Sequence, residues 1–462
     1  MSNKPFIQKY AISGLFGYKD FELSFDDKVK ILIGENGYGK TTILNSLAFL
    51  LKGDYINLLR IKFSEISISF DDSHSYHFTY NDLKSYVHFI EQQKKSENSL
   101  MSYISNNLNL STVDQLINLA KTSEEDFYKE LKSNVVLKDL PSRYVFQFLQ
   151  ELSDQKTKFK VFSDLSTYIN RTGYKILYYP TYRRVEVDFK SLQSNNSLHG
   201  VVQSNRIRQE ENILLSDNSI MKFGMNDVEN RKNKICEEIS KSSILGFAAV
   251  SGGMISKLLE RESDVSDSIT HNFDINEIQI VLGRVGDNMS QEDKNTILSQ
   301  IKEDPSLSKQ NSYLRYFLDQ LLSVYKKQER FDSAIKQFVT TCNSYLYEKE
   351  FSYDESTVSL QLRRSGTSND SGELMMSQLS SGEKQIVSIF SQLYLEPDKK
   401  YVILFDEPEL SLSIYWQEKL LPDMFNSGRC VFMLAVTHSP FVFNNEYKTS
   451  AVGLKEFIKN GE

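Results

Sequence analysis

The chain has 462 residues, 40% of them apolar and 25% charged, close to globular averages, which excludes wholesale disorder and fibrous repeats. Its length points to roughly two or three domains. With 54 basic and 61 acidic side chains the net charge is −7, so this is not a chain that coats nucleic acid with its whole surface. A local basic patch stays open. The three cysteines, Cys236, Cys342 and Cys430, stand far apart. No disulfide framework or thiolate zinc cluster can be built from them, and a reducing cytoplasm is expected. The opening MSNKPFIQKYAIS lacks the apolar core of a signal peptide. No stretch approaches the roughly 18 apolar residues of a membrane span.

Taken in chain order, residues 6–33 read as short strands. FELSF (21–25) alternates, and KVKILIG (28–34) ends in the compact apolar run of a buried strand. A glycine-rich turn follows, then TTILNSLAFLL, read as a helix. His74 and His77 in HSYH have no third ligand nearby and are expected on the surface of a hairpin. Residues 83–171 and 191–313 carry short helical patterns separated by Ser/Asn/Asp-rich turns, with KILYY (175–179) between them as a strand. Ser251-Gly252-Gly253-Met254 reads as a helix break. From Leu314 an apolar stripe runs through Phe317, Leu318, Leu321, Leu322 and Tyr325. After the charged KKQER it resumes at Phe331 and continues to Leu346, which predicts a core-facing helix or helix pair. YVILF (401–405) and CVFMLAVT (430–437) are two more buried strands. Apolar strands joined by helices predict an α/β core.

The turn after KVKILI reads Gly34-Glu35-Asn36-Gly37-Tyr38-Gly39-Lys40-Thr41, followed by Thr42. It fits the phosphate-binding pattern G-x-x-x-x-G-K-[ST], with a strand before it and a helix after it. Glycines let backbone N–H groups curl around phosphate oxygens without Cβ clashes. The helix start adds its positive end. Lys40 can reach the β and γ phosphates of a bound nucleotide, and the Thr41 hydroxyl can bind Mg2+.

The second half of such a site lies near the other end. YVILF runs into Asp406 and Glu407. A carboxylate at a buried strand end can hold the shell of Mg2+, and its neighbour can deprotonate the attacking water. Asp406 is therefore the candidate metal-shell residue and Glu407 the candidate catalytic base. Upstream, Leu379-Ser380-Ser381-Gly382-Glu383-Lys384-Gln385 opens the apolar-periodic helix IVSIFSQLYL. Ser380, Gly382 and the helix start could form a second anion cradle, but Ser-Ser-Gly-Glu equally has the form of a capping box. His438 follows the strand VFMLAVT, where its side chain could face a γ-phosphate.

The order GENGYGKTT, LSSGEKQ, FDEPELSL, VTHSP resembles the ABC-type ATPases, in particular their RecF/SMC/OLD-like branch rather than transporters. The resemblance implies an α/β P-loop ATPase head with a large, mostly helical insertion, and a head-to-head homodimer, or a higher homo-oligomer, that sandwiches ATP. Carried onto this chain, Gly34–Thr42 become the Walker A loop, Leu379–Glu383 the signature, Asp406 and Glu407 Walker B, Ser411 and Leu412 the loop after it, and His438 the switch histidine. Ser381 departs from the usual signature glycine, and the Q-loop glutamine has no clear position. The long stretch between Lys40 and Ser380 favours this branch, since transport ATPases keep the two motifs closer. The expected layout is an N-terminal lobe at 1–85, helical insertion at 86–171, a strand segment returning to the head at 172–190, helical insertion at 191–344, and a C-terminal lobe at 345–462.

LYYPTYRRVE (177–186) and FGMNDV (223–228) resemble segments of OLD-like ATPases of bacterial defence. Arg183 or Arg184 could then sit near the nucleotide, where a guanidinium binds phosphate in bidentate fashion; a surface ion pair is the alternative. No nuclease domain is visible after the head. The resemblance therefore implies a separate nuclease effector, TOPRIM-like or HNH, as in the PARIS and Septu antiphage systems, with PARIS the nearer. A phage protein would be the trigger. The alternative is a RecF/SMC-like repair or recombination ATPase that clamps DNA, for which the acidic balance is unfavourable. Either way the expected place is the cytoplasm, with no membrane partner.

Overall fold

The computed structural model describes residues 4–35, 37–95, 158–181, 224–260, 272–307, 312–366 and 372–459, with 116, 119–120, 123–133, 142–143 and 145–146. It divides into two compact units. The first joins Met1–Ile220, Lys400–Pro408 and Val431–Glu462; the second joins Met221–Lys399 and Glu409–Cys430.

In chain order the described elements begin with β1 (Ile7–Leu15), β2 (Lys19–Ser24), β3 (Val29–Ile33), α1 (Lys40–Lys52), α2 (Tyr55–Leu59), β4 (Glu65–Phe70), β5 (Ser75–Thr79), α3 (Tyr80–Lys95), α4 (Glu124–Ser133), α5 (Lys160–Thr172) and β6 (Lys175–Tyr179). They continue with α6 (Met225–Glu260), α7 (Ile275–Arg284), α8 (Gln291–Glu303), α9 (Ser312–Asn343), β7 (Lys349–Asp354), β8 (Ser359–Arg364) and α10 (Ser381–Tyr394). The last are β9 (Tyr401–Asp406), α11 (Ile414–Asn426), β10 (Cys430–Thr437), β11 (Ala451–Gly453) and β12 (Ile458–Lys459).

The first unit holds two five-stranded sheets, ordered β12-β2-β1-β4-β5 and β11-β3-β10-β9-β6. The first sheet is antiparallel, and alternation sets which face is wet: β2 buries Phe21 and Leu23 and leaves Glu22 between them partly exposed. In the second, β3 pairs in parallel with β10 and β11, and β6 pairs in parallel with β9. Every residue of β9 is buried, as expected of a central strand covered on both faces. Helix α1 supplies Ile43, Leu44, Leu47, Leu50 and Leu51 to the core, the i, i+3, i+4 stripe of an amphipathic helix. It stops at Gly53, whose φ of 70° is the left-handed end a glycine makes at little cost. Helix α5 adds Phe162, Leu165 and Ile169 to the same core. Burying each such side chain contributes about 1.5–3 kcal/mol. His74 and His77 lie on the β4–β5 hairpin, exposed as the sequence predicts, and they pair with Asp72 and Glu65. No helix among the described residues is long and apolar enough to cross a membrane.

The second unit is mostly helical. Helix α9 is a single helix that passes through KKQER unbroken, which settles the choice between one helix and a pair. The expected break at Ser251–Met254 is corrected: α6 runs through it. Two glycines cost a helix about 1 kcal/mol each, but Val250 is buried beside them and Phe247 and Met254 pack on the core of the second unit, which holds the backbone helical. Gly246 has a packing reason of its own. A Cβ there would stand 2.5 Å from the Val324 side chain, so glycine lets α6 lie close to α9. The β7–β8 hairpin, which periodicity did not reveal, follows α9.

Candidate nucleotide site

Four strand ends of the first unit converge. The loop between β3 and α1 turns on Gly37 and Gly39, with φ of 87° and 93°, left-handed values that suit glycine. Gly39 is also pressed by Phe16, whose ring would lie 3.1 Å from an added Cβ. Among the described residues no side chain caps the start of α1, so its first N–H groups face the loop. Lys40 is buried, 5% exposed, and its Nζ donates to the Gly34 carbonyl and, at 3.1 Å, to the Glu35 carbonyl. An amine folded onto loop carbonyls is poised to be taken up by phosphate oxygens. Tyr38 forms one lip of the loop, with the ammonium groups of Lys19 and Lys455 over its ring at 5.5 and 4.8 Å. Thr42 is half-buried in the first turn of α1. Asn36 lies outside the described residues.

Asp406 ends β9 and is 1% exposed. Thr41 Oγ1 donates to its Oδ1 at 3.2 Å, and Thr181 Oγ1 donates to its Oδ2 at 2.7 Å. Burial pushes the Asp406 carboxyl above the usual carboxylate range; the two threonine hydroxyls oppose this and the neighbouring Glu407 charge adds to it. Hydroxyl and carboxylate oxygens side by side are the donor set a hard divalent cation takes.

Glu407 has φ 51°, uncommon outside glycine. Its N–H donates to the Val436 carbonyl at 2.8 Å, which fixes the turn against β10. The turn brings Glu407 Oε1 within 3.8 Å of His438 Nδ1 at the end of β10. Strain of this sort gathers at functional sites, where the surrounding structure holds it.

Lys40, Thr41, Asp406, Glu407 and His438 are thus brought together, and sequence reasoning missed one member, Thr181. It stands just past β6, whose pairing sets Tyr179 beside Phe405 and so puts the next residues next to Asp406. The signal was present as a strand ending in Pro-Thr. Tyr178 on the same strand donates to Asn45 of α1, tying β6 to the helix of the loop. Arg183 and Arg184 lie outside the described residues.

Leu379–Glu383, the expected signature, belong to the second unit. Ser380 caps α10: its Oγ accepts from the Glu383 N–H at 3.4 Å while Glu383 Oε2 accepts from the Ser380 N–H at 2.7 Å, a reciprocal capping box. Burial raises the Glu383 carboxyl, but hydrogen bonds from Lys349 and Ser380 outweigh it and hold it below its ordinary value. Gly382 has a steric reason: an added Cβ would meet the Ser411 carbonyl oxygen at 2.6 Å. Ser380 and Ser381 are exposed, so the turn offers its hydroxyls outward while its glutamate faces in.

A glycine-turned loop between strand and helix, a buried lysine, and a threonine–aspartate pair with a glutamate beside it, on an α/β sheet with a large helical region, define a P-loop ATPase head. The chain belongs to the AAA ATPase domain family, whose model matches residues 6–442, and it is an ATP-hydrolysing enzyme. No curated protein matches it. Among solved structures it is similar to the Smc head domain with a coiled coil and joint from Pyrococcus yayanosii, at 12% identity over 99% of this chain and 97% of that one, TM-score 0.30. It is also similar to the Smc head domain with an extended coiled coil bound to the C-terminal domain of ScpA from Pyrococcus furiosus, at 13% identity over 95% and 91%, TM-score 0.32.

Proposed function

We propose that the chain is a Mg2+-dependent ATPase whose hydrolysis is completed by a second copy, and that it serves as the sensor and scaffold subunit of a bacterial antiphage system, holding and releasing a separate nuclease. The observation that carries the chemistry is the buried Asp406 between Thr41 and Thr181, with Glu407 turned toward His438. Thr41 and Asp406 are the residues that would hold Mg2+, which when bound offsets charge on the β and γ phosphates. Lys40 leaves the loop carbonyls for the phosphates, and the uncapped N–H groups of α1 bind their oxygens. Glu407 accepts the proton of the attacking water. His438, beside that carboxylate, orients the water or the γ-phosphate. Thr181 holds Asp406 so that one of its oxygens stays directed at Thr41. The exposed Ser380 and Ser381 would meet the nucleotide of the other copy.

Ser380→Arg tests the shared site. The variant should bind ATP with its own loop and fail to hydrolyse it; normal turnover would leave LSSGE as a helix cap and end the two-copy mechanism. The defence role rests on the resemblance of LYYPTYRRVE and FGMNDV to OLD-like defence ATPases. It is tested by expressing the chain together with its neighbouring genes, where a nuclease is expected, and counting phage plaques. Protection should need both proteins and should vanish with Lys40→Ala. Absence of protection together with salt-dependent DNA binding would replace this role by that of a DNA clamp.

A further inference from the structure

One face of β7 grips two different elements of the second unit, α9 and α10. Side chains alternate along a strand, so Lys349, Phe351 and Tyr353 point the same way. Tyr353 OH donates to Asp332 Oδ1 of α9 at 2.6 Å. Phe351 packs edge-on against Phe338 of α9, and its backbone exchanges two hydrogen bonds with Asn343, at 2.7 and 2.9 Å. Lys349 Nζ donates at 2.8 Å to Glu383 Oε2, the oxygen that also accepts from the Ser380 N–H. The far end of the hairpin is anchored as firmly. Asp332 is 1% exposed and also accepts from Arg284 Nη2 of α7 at 2.6 Å. Arg284 reaches Gln328 at 2.8 Å and the Glu355 carbonyl at 2.9 Å. A Cβ on Gly283 would lie 2.6 Å from Ser356, so α7 sits directly on the hairpin turn.

We propose that Lys349 is a positioning residue for the signature, and that β7 carries the placement of α7 and α9 to the Ser380 turn through it. Ser380 has its backbone held by Glu383, and Glu383 is held in turn by Lys349. A bar of four residue steps, about 13 Å long, then ties the buried Arg284–Asp332–Tyr353 cluster to the exposed hydroxyls of the turn. A partner that moves the helices would shift the bar, and with it the serine that closes on ATP. This inference rests on the signature role proposed above.

The test is steady-state ATP hydrolysis by the full chain, with ATP affinity and thermal midpoint measured alongside. Lys349→Met should lower kcat by about tenfold to a hundredfold, the worth of a charge-assisted hydrogen bond, with KM little changed. Lys349→Arg should restore most of the rate. Tyr353→Phe should lower kcat in the wild-type background and have little further effect in the Lys349→Met background, because the same link is already cut. If Lys349→Met does not fold, Lys349→Gln takes its place. A wild-type kcat in Lys349→Met, no rescue by arginine, or an equal Tyr353→Phe effect in both backgrounds overturns the proposal. Ser380→Arg, run in parallel, separates the two ideas: if it hydrolyses normally the signature reading has failed, and if it is dead while Lys349→Met is normal only the positioning role has failed.

Discussion

Asp406 is a carboxylate kept where its charge is costly. Burial raises its carboxyl above the usual range, so the folded nucleotide-free protein binds that proton more tightly than the unfolded chain does. The sign follows. Below the unfolded value both states are protonated and the stabilisation is complete; it is lost as pH rises through the folded value. Asp406→Asn removes the charge and keeps the shape. We expect its thermal midpoint without nucleotide to match wild type at about pH 3–4 and to exceed it near pH 7, while Mg2+-dependent hydrolysis is lost. Equal midpoints at both pH values would mean the carboxylate is not strained by burial. Glu407 carries a different burden, since its φ of 51° holds it beside His438. Glu407→Gln should slow hydrolysis by about 10²–10⁴-fold with ATP still bound; unchanged turnover would place the base elsewhere. Lys40→Ala should abolish ATP binding in an equilibrium binding assay and leave the circular dichroism spectrum intact, because the glycines and not the lysine shape the loop.

At the scale of elements, Gly382 decides how α10 meets the segment from Ser411 to Trp416. An added methyl would stand 2.6 Å from the Ser411 carbonyl oxygen and 3.2 Å from the Trp416 ring. Backbone cannot yield as a flexible side chain can, so Gly382→Ala should cost about 1–3 kcal/mol in a denaturant titration. A cost near zero would mean the helix shifts freely. The same elements show where periodicity succeeds and fails. YVILF, CVFMLAVT and KILYY were legible as strands because burial on both faces leaves a compact apolar run. The glycine pair in α6 read as a break, because local propensity does not register the packing of Val250 and Phe247 that outweighs it. The β7–β8 hairpin was hidden because its alternation mixes Lys349 and Tyr353, whose polar ends are matched by Glu383 and Asp332, with the apolar Phe351.

At the scale of the whole molecule, the chain builds each compact unit from separated segments, so Asp406 and Glu407 belong to one unit and Leu412 and Trp416 to the other. Hydrolysis proposed between two copies predicts an assembly that depends on ATP. Glu407→Gln with Mg2+–ATP should elute as a dimer or larger in size-exclusion chromatography with light scattering, and Lys40→Ala should not. The same elution for both variants would uncouple assembly from nucleotide. The sequence by itself located the glycine-rich loop of an ATPase, the Asp406–Glu407 pair after a buried strand, the capping turn at Ser380, and His438 after the strand CVFMLAVT. Phosphate and metal chemistry demands particular residues at short fixed spacing, and such patterns survive in one dimension. Only the tertiary structure decided that Thr181 completes the Asp406 site, that Lys349 holds Glu383, and why position 382 must be glycine. Each of these depends on segments far apart in the chain packing to within a hydrogen bond or a methyl radius, and no local pattern encodes that distance.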